Sequence, residues 1–219
     1  QNKLKEAHNL FEKALKLFPE SYEILNNLGT TLHDLARYQE AIYIYQKAIS
    51  VNPEIPDALN NLGLTLQALK QFESAASTFR EALKLNPNNP VILNNLGFSL
   101  FNLNNFKESI DCYTQAISLN KLYADAYSNR GLSYQAMHKT NEALSDYDEC
   151  IKLNPNHANN YWNKSLLKLL IGAFDEGWSL YEWRWKSFLK NAVRDFNKPL
   201  WLGQTSLKNK TILIYPEQG

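Results

Sequence analysis

The chain of 219 residues carries 23 basic and 22 acidic side chains, a formal net charge of +1, and 44% of its residues are hydrophobic. This composition is typical of a folded, soluble protein rather than a disordered one. No apolar run reaches the roughly 20 residues that a helix needs to span a bilayer, and no signal-type sequence opens the chain. We therefore expect no membrane span, no bound nucleic acid and a cytoplasmic location.

Side chains suited to catalysis or metal binding are few and scattered. Cys112 and Cys150 fall in predicted helices, and Cys150 stands where the sequence otherwise repeats alanine, which indicates packing rather than redox chemistry. The four histidines lack metal-ligand spacing, and no Ser/His/Asp or Cys/His constellation is visible. We expect no metal, no cofactor and no catalysis in this stretch, and we leave open whether the parent protein is an enzyme.

Residues 1–21 have the pattern of a single amphipathic helix. Ala7, Phe11 and Ala14 recur at helical spacing and Pro19 follows them, which matches the second half of the unit described next. A half-repeat leaves its apolar face uncovered, because repeat units bury that face against their neighbours. We therefore expect an excised fragment, with further units upstream of residue 1.

A period of 34 residues organises most of the chain. The stretch Leu-Asn-Asn-Leu-Gly occurs at 25–29 and returns intact at 59–63 and 93–97, and weakened forms stand at 127–131 and 161–165. A fixed period of this length is typical of a repeat array. It predicts five units, at 22–55, 56–89, 90–123, 124–157 and 158–191.

Further positions of the unit recur at the same step. In the first unit these are Ala41, the aromatic Tyr45, Ala48 and Pro53. With the preceding Leu-Gly pair, this pattern resembles the tetratricopeptide repeat. The resemblance implies an all-α fold: a right-handed superhelical α-solenoid of helix–turn–helix units that binds proteins or peptides.

The last third of the chain departs from the pattern. All five tryptophans lie there, and the fifth unit carries Ser165, Gly177 and Arg184 at signature positions. Beyond it, a β-branched apolar run at 211–215 predicts one buried strand. We therefore expect residues 192–219 to form a non-repeat extension with a single strand, which cannot be stable alone.

Three segments near the C-terminus carry a second resemblance. They are Gly-Trp-Ser-Leu-Tyr-Glu-Trp-Arg-Trp at 177–185, Pro-Leu-Trp-Leu-Gly at 199–203 and Lys-Thr-Ile-Leu-Ile-Tyr-Pro-Glu-Gln-Gly at 210–219. They are similar to the junction in bacterial proteins that join tetratricopeptide repeats to a glycosyltransferase-type domain, either heptosyltransferase-like or O-linked N-acetylglucosamine transferase-like. The resemblance implies that 192–219 begins such a domain, truncated before its sugar-nucleotide site.

One asparagine occupies the same first-helix position in every unit. At roughly 100° per residue, Asn27 lies about 150° from the centre of the apolar stripe that contains Leu25, Leu28 and Leu32, so it faces away from the core. Asparagine is less favourable than alanine inside a helix by roughly 0.5 kcal/mol, which indicates another role. The full row is Asn27, Asn61, Asn95, Asn129 and Asn163.

Two interpretations of this row remain open. The amides either bridge adjacent helices through hydrogen bonds, or line the concave face and pair with the backbone of an extended peptide. The row is similar to the asparagine ladder of the O-linked N-acetylglucosamine transferase repeat domain, which holds protein substrates in its groove. By that resemblance the peptide-binding residues are the five asparagines of the row together with Asn26, Asn60 and Asn94, and Ser128 and Trp162 interrupt this second row.

The rest of the predicted concave face is mildly acidic and partly apolar. Glu23, Asp57 and Asp125 stand where the chaperone-binding branch of the superfamily needs basic residues to clamp a terminal carboxylate, so we reject that mode. The same acidity argues against nucleic acid. Five apolar side chains also face the groove by repeat position, and we expect the C-terminal segment or a ligand to cover them. They are Phe98, Phe101, Leu166, Leu169 and Leu170.

Together these features predict a scaffold that binds a protein or peptide through an asparagine ladder, as the substrate- or partner-recruiting arm of a bacterial glycosyltransferase. A stand-alone self-assembling adaptor and a structural spacer without a peptide site remain alternatives. The terminal half-repeat and the predicted strand favour self-association through exposed ends.

Overall fold

The structure is a computed structural model that describes residues 2–187. None of the helices in this range is both long and apolar enough to cross a bilayer. In chain order they are α1 Asn2–Leu17, α2 Tyr22–Asp34, α3 Tyr38–Val51, α4 Pro56–Ala68, α5 Phe72–Leu85, α6 Pro90–Asn102, α7 Phe106–Leu119, α8 Ala124–Ala136, α9 Thr140–Leu153, α10 Ala158–Leu170, α11 Phe174–Tyr181 and α12 Arg184–Ser187.

The fold class predicted from the sequence needs a correction. We expected an α-solenoid that also contains a β-strand, but residues 2–187 contain helices and no strand. The described part of the chain is therefore an all-helical solenoid. The strand predicted at 211–215, like the whole predicted extension 192–219, lies outside the described residues.

From α2 onward the helices pack as pairs, and successive pairs stack on one another. Helix α2 packs on α3, α4 on α5, α6 on α7 and α8 on α9, and each second helix also packs on the first helix of the next pair. Successive first helices from α2 to α8 touch one another as well, whereas successive second helices make less contact. The first helices therefore line the concave side of the stack.

A contact between glycine and an aromatic ring sets the distance between the two helices of a pair. A Cβ atom added to Gly63 would lie 2.5 Å from the ring of Phe79, and one added to Gly29 would lie 2.5 Å from that of Tyr45. Both rings are at most 1% exposed, and burial raises the pKa of the Tyr45 hydroxyl to about 12. Only glycine lets the ring approach the first helix this closely.

The turn inside each pair contains one residue with a left-handed backbone. In the first pair, the amides of Ala36 and Arg37 donate to the carbonyls of His33 and Leu32, which closes the end of α2. The same conformation recurs at the same repeat position in all five pairs. The residues and their φ angles are Ala36 at 59°, Lys70 at 59°, Asn104 at 60°, His138 at 57° and Gly172 at 80°.

A buried ion pair interrupts the apolar core of the fourth pair. Arg130 stands where the preceding unit has the buried Leu96. Its guanidinium donates to both carboxylate oxygens of Asp146, at 2.8 and 2.7 Å, and to the Thr114 hydroxyl at 3.0 Å. The hydrogen bonds to Asp146 raise the pKa of Arg130. Because the side chains are only 16% and 6% exposed, each charge depends on the other for compensation.

The fifth pair differs from the others because Ser165 stands where they have glycine. In the other pairs a Cβ atom at this position would clash with the aromatic ring of the second helix. In the fifth pair Tyr181 packs instead on Trp162, with ring centroids 4.7 Å apart. Trp183 stacks on Tyr161 at 3.8 Å. Helix α11 has 8 residues, whereas α3, α5, α7 and α9 have 14 each.

Removing only the arginine of the buried ion pair should cost more than replacing both partners. Arg130→Leu leaves the Asp146 carboxylate buried and unpaired, which should lower the free energy of unfolding by about 3–5 kcal/mol. The second unit has Leu62 and Thr78 at the two equivalent positions. Adding Asp146→Thr to Arg130→Leu gives the fourth unit the same pair and should recover most of that loss. Urea unfolding followed by circular dichroism measures both, and equal losses in the single and double variants would contradict this account.

Candidate functional site

Side-chain hydrogen bonds between asparagines link successive first helices. In each link, the Nδ2 atom of an asparagine in the predicted ladder donates to the Oδ1 atom of a second-row asparagine in the preceding pair. The links are Asn61 to Asn26 at 3.1 Å, Asn95 to Asn60 at 3.0 Å and Asn129 to Asn94 at 3.0 Å. The bracing hydrogen bonds, one of the two interpretations left open by the sequence, are therefore present from α2 to α8.

A row of buried hydroxyl groups supports the same helices. Each hydroxyl donates to the backbone carbonyl of the ladder asparagine four residues earlier. The donors are Thr31 at 2.9 Å, Thr65 at 2.8 Å, Ser99 at 3.3 Å and Ser133 at 3.1 Å. These side chains are at most 6% exposed.

Polar side chains of the preceding pair reach this hydroxyl row. The Nδ1 atom of His33 lies 2.9 Å from the Thr65 hydroxyl. Gln67 Nε2 donates to the Ser99 hydroxyl at 2.8 Å and to the Asn95 carbonyl at 2.7 Å. The asparagines therefore stand on helices whose mutual positions are fixed by several independent hydrogen bonds.

The bracing bond uses only part of each ladder amide. An asparagine side chain offers two N–H donors and one carbonyl acceptor, and the brace takes one donor. Among the described residues, the Oδ1 atoms of Asn61, Asn95 and Asn129 accept no hydrogen bond, and the side chains are partly exposed. One donor and one acceptor therefore remain at each of these three positions.

The row changes at both ends. Asn27 is exposed, and its side chain has no hydrogen-bond partner among the described residues. At the other end, Ser128 replaces the second-row asparagine and donates to Asn160 Oδ1 at 2.6 Å instead. Asn163 is partly exposed and takes no part in a bracing bond of this kind within residues 2–187. The braced section of the ladder is therefore the middle of the array.

The apolar side chains predicted for the groove lie in three different surroundings. Phe98 is 41% exposed and packs edge-on against Phe72, with ring centroids 6.3 Å apart. Phe101 packs on Phe106 at 5.5 Å, and Leu169 contacts the second helix of its own pair at Gly177. Leu166 and Leu170 are 37% and 76% exposed. The C-terminal segment that we expected to cover them lies outside the described residues.

Sequence analysis missed the hydroxyl row, although a signal for it was present. Threonine or serine stands four residues after the ladder asparagine in each of the first four units, and each of these side chains is buried. Within residues 2–187, no three His, Cys, Asp or Glu side chains stand close enough to hold a metal ion.

Substitution of a bracing asparagine should have the opposite effect to substitution of the unbraced one. Asn61→Ala removes a hydrogen bond worth about 0.5–1.5 kcal/mol, offset by roughly 0.5 kcal/mol of helix propensity, so stability should fall slightly. Asn27→Ala, the matched control, gains the propensity and loses no bond, so stability should rise slightly. Urea unfolding of both variants measures the difference, and identical shifts would show that the brace contributes nothing.

Models of known families match most of the repeat array. Four models described as tetratricopeptide (TPR) repeats match residues 20–88, 78–111, 99–137 and 124–157. Among curated proteins, none matches the chain.

Solved structures include many with the same fold. MamA is 25% identical, with a TM-score of 0.67, and the match covers 75% of this chain and 96% of that one. YrrB, described as a TPR protein with an unusual peptide-binding site, is 20% identical over 80% and 91% of the two chains, with a TM-score of 0.64. PilF of Pseudomonas aeruginosa is 19% identical, with a TM-score of 0.69, and the match covers 88% of this chain and 80% of PilF.

YrrB and PilF are at most 20% identical to this chain, so these two matches show only that the fold is shared. The stacked helix pairs, the glycine–aromatic contacts and the matched family models agree with one another. Residues 20–157 of the chain belong to the tetratricopeptide repeat family.

Proposed function

We propose that the chain is a scaffold that binds an extended segment of a partner protein along the concave face of its first helices. The observation that carries this proposal is the hydrogen-bonding capacity left on Asn61, Asn95 and Asn129. Each keeps one N–H and one carbonyl oxygen, which is the pair of groups that complements a peptide unit. A row of such amides can form hydrogen bonds with the backbone of the bound peptide and leaves the peptide's side chains free.

Bracing prepares the amides for this role. An asparagine side chain that is already held by Asn26 or Asn60 loses little rotamer freedom when a ligand binds, because that freedom was lost on folding. The buried hydroxyl row below holds the backbone in the same way. Brace and binding site are therefore two uses of one amide.

The family supports a binding role in general terms. Tetratricopeptide repeats are scaffolds for protein or peptide partners, and YrrB is described as having a peptide-binding site. We extend that role to this chain because its concave face carries free amide groups at a regular spacing. A cytoplasmic location is part of the proposal and rests on composition alone.

We further propose that this scaffold is the substrate- or partner-recruiting arm of a glycosyltransferase. The support is the sequence resemblance at 177–185, 199–203 and 210–219, of which the last two segments lie outside the described residues. The test is to measure protein glycosylation and sugar-donor hydrolysis by the parent protein after Asn61→Ala and Asn95→Ala. Loss of glycosylation with unchanged hydrolysis supports a recruiting arm, and equal loss of both rejects it.

A structural spacer is the second candidate, and the asparagine hydrogen bonds themselves favour it. If the amides only brace the helices, removing either partner of a brace should have the same consequence. Self-association is a further alternative, since Leu10 and Leu17 of α1 and the following Phe18 are more than 60% exposed. Light scattering that gives one monomeric mass at all concentrations would dispose of it.

Peptide binding should depend much more strongly on the ladder asparagines than on their brace partners. We expect the double variant Asn61→Ala, Asn95→Ala to lose binding on an array of random extended peptides. The matched control, Asn26→Ala with Asn60→Ala, breaks the same two braces but keeps both ladder amides, so it should bind somewhat more weakly than the original protein and far better than the ladder variant. Circular dichroism confirms that both variants are folded. Equal loss of binding in the two variants, or no binding by the original protein, would sink the backbone-reading proposal.

A further inference from the structure

The concave face carries three parallel rows of side chains. Residues three or four apart share one face of a helix. The residue four before and the residue three after each ladder asparagine therefore lie on the same face, each about one turn, roughly 5 Å, from the asparagine. The row on the N-terminal side is Glu23, Asp57, Val91 and Asp125 in the first four pairs. The row on the C-terminal side is Thr30, Leu64, Phe98 and Leu132.

The two flanking rows differ in chemistry. Glu23, Asp57 and Asp125 are exposed, and none of them forms an ion pair with a described residue. The opposite row is apolar in three of four pairs, and its largest member, Phe98, is 41% exposed. No lysine or arginine stands in any of the three rows. The groove therefore has an acidic side, an amide floor and an apolar side.

The spacing of the pairs selects a conformation for the ligand. Packed helices lie about 8–10 Å apart. A polyproline II segment has three residues per turn and rises about 3.1 Å per residue, so it repeats about every 9 Å and presents the same face to successive amides. A β-strand repeats every two residues, about 6.7 Å, and loses register with the helices. Polyproline II also leaves its backbone N–H and C=O groups free for the asparagines.

We infer that the groove is selective for a partner segment in polyproline II conformation with a basic residue and an apolar residue each recurring every third position. Its basic side chains face Asp57 and Asp125, and its apolar side chains face Leu64, Phe98 and Leu132. The third residue of each turn lies on the amide floor. This selectivity rests on the proposed function, because it presupposes a backbone held by the ladder.

Four synthetic 15-residue peptides with a fluorescent label test the inference by anisotropy. The first repeats Leu-Lys-Ser. The second has the same composition in an order that breaks the three-residue period, the third repeats Leu-Glu-Ser and the fourth repeats Gln-Lys-Ser. We expect the first to bind at least about tenfold more tightly than the others, and more weakly as salt is added, because exposed charges are screened.

A protein variant supplies the matched control for charge. In Asp57→Asn with Asp125→Asn, the preference for Leu-Lys-Ser over Leu-Glu-Ser should shrink, while the preference for the periodic order should persist. Equal binding of all four peptides, lost in Asn61→Ala with Asn95→Ala, would overturn the selectivity but keep the backbone-reading ladder. Binding of none of them, or binding that ignores the asparagines, would overturn the proposed function as well.

Discussion

The contact between a glycine and a buried aromatic ring is the constraint on which this structure depends. It fixes the distance between the two helices of a pair, as Gly63 and Phe79 show, and it recurs every 34 residues. Because the pairs are alike, they stack alike, and the first helices come side by side on the concave face. Where Ser165 replaces the glycine, the ring takes another place and the second helix is short.

Side-by-side first helices bring asparagines within hydrogen-bonding distance, and this relates packing to the proposed binding. Asn61 and Asn95 each give one N–H to the preceding pair at about 3 Å. An asparagine inside a helix costs stability relative to alanine, and the brace recovers about as much. The net effect on folding is small, so the remaining donor and acceptor are the stronger physical reason for an amide at this position.

The sequence predicted the structural features that recur with the 34-residue period and missed those that depend on single residues. The 34-residue step led to the helix pairs and the tetratricopeptide family, whereas the strand at 211–215 is not part of the described fold. Arg130 was not identified, because its partner Asp146 is 16 residues away on another helix and neither residue is unusual alone. The left-handed turn residues escaped notice for a similar reason: Ala36 and Lys70 are not residue types that favour that conformation. Whether the asparagines bind peptide stays a prediction.

Hydrogen exchange of individual asparagine side-chain amides, measured by nuclear magnetic resonance, tests the central claim that one amide both braces and binds. In the free protein, one Nδ2 proton of Asn61 and of Asn95 should be protected while both protons of Asn27 exchange freely. In protein saturated with a bound peptide, the second proton of Asn61 and Asn95 should become protected too. Free exchange of both protons without peptide, or no added protection with it, would contradict the account.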